Sequence, residues 1–329
     1  MTVGIVSYGL YLPEDIESAE QIAARYRLTV EELRALGIKQ RYLPSDKDQP
    51  VVMAEKAAQK AFASAGDVDP MDVDVVIWTG EEYKDYIAQT PSIRLQEETG
   101  CKNAWAFDLV GQSVTLIQGI KLARDLITGD EGIRTVLLAG GTRNIDLVTS
   151  DNPGTRFLLP CSASGGALIL RRGHGRNTLI DTAFLVHPEM ADEVYVPGGG
   201  TEIPFSRENL NTDIMFFQNR HPEKVADYLR RKWAATLCET VGRLQNTPEI
   251  GYLALRHLSP ADREKVLGTL ELAPHQSADL ESFGHHGTND PLISLDLGLE
   301  RKAVQNGTVV AMLNGGIGFT YAAASIRWG

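Results

Sequence analysis

Thr135-Val136-Leu137-Leu138-Ala139-Gly140-Gly141 returns in outline as Thr308-Val309-Val310-Ala311 through Gly315-Gly316, roughly 173 to 175 residues further on. Two other pairs share a similar offset. The opening VGIVSYG maps onto NTLIDTAF, and DVVIWTG onto GYLALRH. In a chain of 329 residues this interval is about half the length, so the expectation is two similar halves, 1–173 and 174–329, joined near Arg171–Arg176 (RRGHGR). Each repeated stretch is a short, continuously apolar run of the kind that fills a strand buried on both faces. Between such runs, AEKAAQKAFASA (54–65), VTLIQGIKLARDLI (114–127) and 224–241 carry apolar residues at spacings of three and four, the helical period. Strand and helix in alternation predict an α/β layered fold.

Composition narrows the function classes. The chain is 43% apolar and 23% charged, with a net charge of −11. An acidic chain lacks the basic face that a nucleic-acid partner requires. Three cysteines (Cys101, Cys161, Cys238) make no disulfide framework and no zinc spacing, which suits a reducing compartment. MTVGIVSYGLYLP has neither the basic start nor the long apolar core of a signal peptide, and no stretch is long enough for a membrane span. A soluble cytoplasmic protein is expected.

Four short constellations could carry chemistry. Phe107-Asp108-Leu109-Val110-Gly111-Gln112-Ser113 ends one strand and opens a helix; Ser113 there is either a nucleophile aimed by the helix N-terminus or an ordinary helix cap. His257 follows the strand GYLALR and could act as a general base. In Gly284-His285-His286-Gly287-Thr288-Asn289-Asp290-Pro291, Asp290 and Pro291 form a helix-start signal, and the paired histidines find no third metal ligand. Finally, Asn314-Gly315-Gly316-Ile317-Gly318-Phe319-Thr320 is a glycine turn at a strand end, able to bring backbone amides against a ligand.

In this order the pieces resemble the thiolase-fold condensing enzymes, specifically the ketoacyl-(acyl carrier protein) synthase III branch and its polyketide acyltransferase relatives. The resemblance runs through nearly the whole chain. Gly9-Leu10-Tyr11-Leu12-Pro13 is similar to the family's G-x-Y-L-P, Gly37-Ile38-Lys39-Gln40-Arg41 to its G-I-x-x-R, and Gly316-Ile317-Gly318-Phe319-Thr320 to its closing G-G-G-F-T. Ser113 falls where the family's F-D-x-x-x-x-C places the catalytic cysteine, His257 at its strand-end histidine, and Asn289 some 32 residues later, near the family's asparagine. Pro274-His275-Gln276 copies the family's P-H-Q, yet follows no strand and stands too close to Asn289.

The resemblance implies an αβαβα thiolase-like fold and an acyltransferase of fatty-acid or polyketide-type biosynthesis, without cofactor or metal. With serine as nucleophile, His257 is expected to take its proton, and Asn289 or Asp290 to orient the imidazole, Asn289 being preferred because Asp290 is claimed by the helix start. The backbone amides of Ser113 and Gly318 are the expected oxyanion hole. Glu81 or Glu82, after VDVVIWTG, stands where related hydroxymethylglutaryl-CoA synthases carry a catalytic glutamate. Glu31 and Ala35 stand in place of the family's adenine clamp for coenzyme A, which favours an acyl carrier protein as donor, docked at Lys224, Arg230 and Arg231. A homodimer and a small-molecule acceptor complete the expectation. The alternatives are a non-catalytic partner subunit and an acyl thioester hydrolase.

Overall fold

The computed structural model describes residues 2–149 and 152–329. Strands are β1 (Val3–Tyr11), β2 (Asp15–Ser18), β3 (Gln40–Leu43), β4 (Val75–Trp78), β5 (Trp105–Asp108), β6 (Thr135–Thr142), β7 (Ser164–Arg172), β8 (Thr178–Val186), β9 (Val194–Tyr195), β10 (Gln218–Asn219), β11 (Tyr252–Leu255), β12 (Val309–Gly316) and β13 (Thr320–Arg327). Helices are α1 (Ala19–Tyr26), α2 (Val30–Ala35), α3 (Pro50–Ser64), α4 (Pro91–Thr99), α5 (Thr115–Gly129), α6 (Pro222–Arg231), α7 (Trp233–Gly242), α8 (Pro260–Thr269) and α9 (Asp290–Glu300).

Nine strands form one sheet in the order β11-β12-β13-β8-β1-β7-β6-β4-β5. Outward from the central β1/β8 contact, both arms repeat the same pairing. The arm β1-β7-β6-β4 runs antiparallel, antiparallel, parallel, and β8-β13-β12-β11 does the same. The three sequence echoes fall on equivalent strands of these arms: β1 with β8, β4 with β11, and β6 with β12. Residues 173–177 connect the arms.

Side-chain alternation builds the layers. In β6, Val136 and Leu138 join a core with α5, while Leu137 and Ala139 join another with α3. In β12, Val310 and Met312 face the α5 core, while Ala311 and Leu313 pack with Leu237 and Val241 of α7. Helices α5 and α9 thus lie in a middle layer shared by both arms, with α3 and α7 outside, giving the αβαβα thiolase-like architecture. Strands covered on both faces have no polar alternation, which is why their sequences are continuous apolar runs.

Glycine sets how closely α3 lies on its sheet. A Cβ on Gly165 would stand 2.0 Å from the Met53 carbonyl oxygen, and one on Gly141 2.1 Å from that of Pro50. The facing helix is correspondingly small, with Ala54, Ala57, Ala58 and Ala61 fully buried. Arg41, at the end of the G-I-x-x-R stretch, is fully buried, pairs with Glu17 at 2.7 Å and donates to the Leu159 carbonyl, tying the β2/β3 hairpin to the core.

Candidate active site

Ser113 sits in the turn between β5 and α5. The preceding Gln112 adopts φ +56°, a left-handed conformation that is uncommon for a side-chain-bearing residue and turns the chain sharply into α5. The Ser113 hydroxyl caps nothing. It donates to Glu81 Oε1 at 3.3 Å and lies 3.5 Å from His285 Nε2. Its carbonyl accepts from Asn314 Nδ2, at 2.5 Å, and the same amide donates to the Gly287 carbonyl at 3.0 Å. One buried asparagine therefore joins the Ser113 turn, the histidine loop and the end of β12.

The geometry corrects the histidine. His257 Nε2 donates to the Gly37 carbonyl at 2.9 Å, so its ring serves the close approach of Gly37, whose φ is +76°. Burial lowers the His257 imidazole to about 4 and keeps it neutral. The ring at Ser113 belongs instead to His285. Gly284, at φ +84°, lets this chain segment tuck against Pro160, where the His285 amide donates to the Pro160 carbonyl at 2.7 Å.

His285 Nδ1 lies 2.5 Å from Asp290 Oδ2. Asp290 is the first residue of α9 and turns back from the helix, also accepting from the backbone amides of His257 at 2.9 Å and His286 at 2.6 Å. Burial opposes its ionisation, but the His285 imidazole and the Arg256 guanidinium outweigh it and hold the carboxyl well below the usual range. Asp290, set aside in the sequence as a helix-start residue, is the polar group bonded to the His285 ring. Asn289 lies elsewhere: its amide donates to the Gly140 carbonyl at 3.3 Å and Ser164 Oγ at 3.1 Å, pegging the start of α9 to β6 and β7.

The contact with Arg256 favours one tautomer of His285. Arg256 Nη2 lies 3.4 Å from His285 Nε2, and a guanidinium can only donate, so Nε2 offers its lone pair while Nδ1 carries the proton toward Asp290. This is the form of imidazole able to accept a proton from Ser113.

Glu81 is buried on the other side of the hydroxyl, also bonded by Asn144 Nδ2, and desolvation raises its pKa above the ordinary carboxylate value. Gly287, at φ +54°, leaves its room: a Cβ there would stand 1.9 Å from Glu81 Oε1. Glu82 is exposed and faces a separate cavity. Gly316, not Gly318, abuts Ser113, since a Cβ on Gly316 would lie 2.9 Å from Ser113 Oγ. Gly318 lines the neighbouring cavity.

A cavity of about 510 Å³ leads to Ser113 and is lined by Glu81, Arg256, His285, Trp233 and Phe319, with Ala35, Arg230 and Asp262 also on its wall. Cys161 lines it too, but burial pushes its thiol up to about 12, so it offers no thiolate. The expected docking cations are paired within the chain: Lys224 with Glu193 at 2.6 Å, and Arg230 and Arg231 with Asp227 at 2.6 and 2.7 Å. Among the described residues no cluster of His, Cys, Asp and Glu could hold a metal ion, and no helix is long and apolar enough to cross a membrane.

Sequence reasoning gave no role to His285, Arg256 or Gly316, although His285 and Gly316 lie in motifs it singled out. The available signal for His285 was its place five residues before Asp290, since a helix's first turn and the loop leading into it can fold back on one another.

Comparison with known proteins agrees with this architecture. Residues 246–328 match the family model for the C-terminal part of 3-oxoacyl-(acyl carrier protein) synthase III. The chain is 26% identical over 334 residues to β-ketoacyl-(acyl carrier protein) synthase III of Rickettsia rickettsii, covering 100% of both. Its structure superposes on the crystal structure of 3-oxoacyl-(acyl carrier protein) synthase III from Pseudomonas aeruginosa with a TM-score of 0.83 at 20% identity, covering 100% of this chain and 98% of that one. The priming β-ketosynthase of the R1128 polyketide pathway gives 0.84 at 18% identity, covering 99% and 96%. The chain thus has the thiolase-like fold, and over its whole length its sequence is similar to β-ketoacyl-(acyl carrier protein) synthase III.

Proposed function

We propose that the protein is a synthase III-like acyltransferase that carries its acyl group on Ser113. The observation that carries this reading is the chain of contacts from Ser113 Oγ to His285 Nε2 at 3.5 Å and from His285 Nδ1 to Asp290 at 2.5 Å, a Ser-His-Asp arrangement at the end of a cavity. Ser113 Oγ attacks the carbonyl of an acyl thioester as His285 Nε2 takes its proton. The C–S bond breaks, and the departing thiolate takes that proton back. An acceptor hydroxyl, amine or thiol then enters, loses its proton to His285 and attacks the ester carbon; the bond from that carbon to Ser113 Oγ breaks, and His285 returns the proton to Oγ. Asp290 holds the ring and supports the imidazolium in both steps. The amides at the start of α5 and the Gly316 backbone are the proposed stabilisers of the tetrahedral oxyanion. Glu81, within reach of the same hydroxyl, serves as a second acid/base for the acceptor.

An alcohol is far less acidic than a thiol and needs such a base, which is what distinguishes this site from a cysteine site activated by a helix terminus. An oxygen ester is also less reactive toward a carbanion than a thioester, so transfer to a heteroatom ranks at least equal to decarboxylative condensation. The donor is a carrier-protein or coenzyme A thioester, the working state a cytoplasmic homodimer. An intact set of Ser113, His285 and Asp290 speaks against a purely structural partner subunit.

Intact mass spectrometry after incubation with acyl-carrier and acyl-coenzyme A thioesters tests the reading. We expect an acyl adduct in the wild type and in Cys161→Ala that is absent from Ser113→Ala and strongly reduced in His285→Ala. No adduct from any donor would overturn it, and rapid release of free acid without acceptor would make the protein a hydrolase.

A further inference from the structure

Arg256, whose charge faces Asp290 across the His285 ring, forms no direct ion pair with an acid among the described residues. It follows β11, lines the cavity and lies beneath the Trp233 ring, whose centroid is 5.0 Å from its guanidinium carbon. Nε donates to the His257 carbonyl at 2.9 Å, Nη1 to the Gly315 carbonyl, and Nη2 reaches His285 Nε2 at 3.4 Å. Of five N–H groups, two remain unassigned. Among the described residues no carboxylate forms an ion pair with it. Its unassigned N–H groups belong to a half-buried guanidinium on the cavity wall, and its planar fork matches a carboxylate.

The position of this cation defines what the anion would be. Ser113 Oγ and Arg256 Nη2 each contact the same nitrogen, at 3.5 and 3.4 Å, so they lie within about 7 Å of one another. A carboxylate one or two carbons beyond an ester carbonyl on Ser113 spans that gap. The remaining wall is largely apolar, including Phe157, Leu158, Phe217, Leu229 and Phe319, and its other cation, Arg230, is paired with Asp227 at 2.6 Å. Glu81, the other acid of the site, stands on the Ser113 side and is pushed by burial toward its neutral form, which limits its repulsion of an incoming anion.

We propose that Arg256 forms a carboxylate subsite that selects short dicarboxylic acyl groups of the malonyl or succinyl class, transferred with their free carboxylate intact. This rests on Ser113 being the acyl carrier. Pairing with arginine stabilises the carboxylate electrons, which decarboxylation would have to withdraw into the breaking C–C bond, so the acyl group keeps its carbon dioxide. The reaction at Ser113 is otherwise the exchange already written, a C–O bond formed as the C–S bond breaks.

Malonyl- and butyryl-pantetheine, which share the arm common to both donor types, test the subsite. In the wild type we expect malonyl to acylate Ser113 about tenfold faster or more, with the adduct at the mass of the intact malonyl group. In Arg256→Gln the malonyl-to-butyryl ratio falls toward one, and Arg256→Lys retains part of it. Equal rates in the wild type, a decarboxylated adduct, or a ratio unchanged in Arg256→Gln while both rates fall would overturn the proposal; the last would show the guanidinium acting only through His285. Calorimetric titration of Ser113→Ala with the same two compounds separates the two readings. Preferential malonyl binding that is lost in Ser113→Ala/Arg256→Gln, without any wild-type adduct, would sink serine acylation but keep the subsite. Adduct formation without malonyl preference would do the reverse.

Discussion

Asp290 accepts three hydrogen bonds within one buried carboxylate, one of them from the His285 ring. Asp290→Asn keeps the shape but cannot hold the Nδ1–H tautomer of His285, and we expect Ser113 acylation to slow by about 10²- to 10⁴-fold. Stopped-flow or quenched-flow mass spectrometry measures this; an unchanged rate would remove Asp290 from the mechanism. His257 has a different signature. Its folded pKa, about 4, lies below that of an exposed imidazole, so its contribution to stability is complete above about pH 6.5 and is lost as pH falls toward 4, when the unfolded chain binds a proton that the native ring resists. The term is about 3 kcal/mol at most. Urea titrations at pH 7.5 and 4.5 should show a smaller loss of stability in His257→Gln than in the wild type, with acylation retained. A collapse of acylation in that variant would return His257 to the catalytic group.

Among the elements, α3 lies close on its sheet, with backbone of the helix against Gly141 and Gly165. Neither neighbour is the end of a flexible side chain, so neither can swing away. Gly165→Ala should cost about 1–3 kcal/mol or more in a chemical denaturation, and a neutral result would mean that the helix can lift from β7 freely. The turn before α5 depends on the same kind of constraint. A left-handed Gln112 directs Ser113 away from capping α5 and toward Glu81 and His285. Nothing in the order Gly111-Gln112-Ser113 announces that conformation, because glutamine has no local preference for positive φ. The helix start at Asp290-Pro291 was legible, whereas the direction of the Asp290 side chain was not: a first-turn carboxylate can serve its own helix or a neighbour, and only the packed neighbours decide.

At the scale of the molecule, the site belongs to neither arm of the sheet. Ser113 and Glu81 come from the first, His285, Asp290 and Arg256 from the second, and Asn314 binds both. One apolar core spans the arms, uniting Val3, Val75 and Val136 with Tyr252, Val310 and Ile326 around α5. Unfolding should therefore be a single transition. Far-ultraviolet circular dichroism and the fluorescence of variants retaining only Trp78 or only Trp233 should give coincident curves, and two separated midpoints would show that the arms fold independently.

The sequence by itself determined the layered α/β class, the strand and helix periods, the echo between β6 and β12, and the turn that holds Ser113, because burial on both faces and helical amphipathy write themselves into local patterns. It also brought the right loops forward. Which polar group in each loop reaches the hydroxyl was decided only by tertiary structure. His257 and His285 carry the same imidazole, and Asn289 and Asp290 are adjacent; their roles separate through which carbonyl, amide or guanidinium the packed chain sets beside each. That neighbourhood arises from contacts between residues more than 150 positions apart, as between Ser113 and His285, and no local pattern records it.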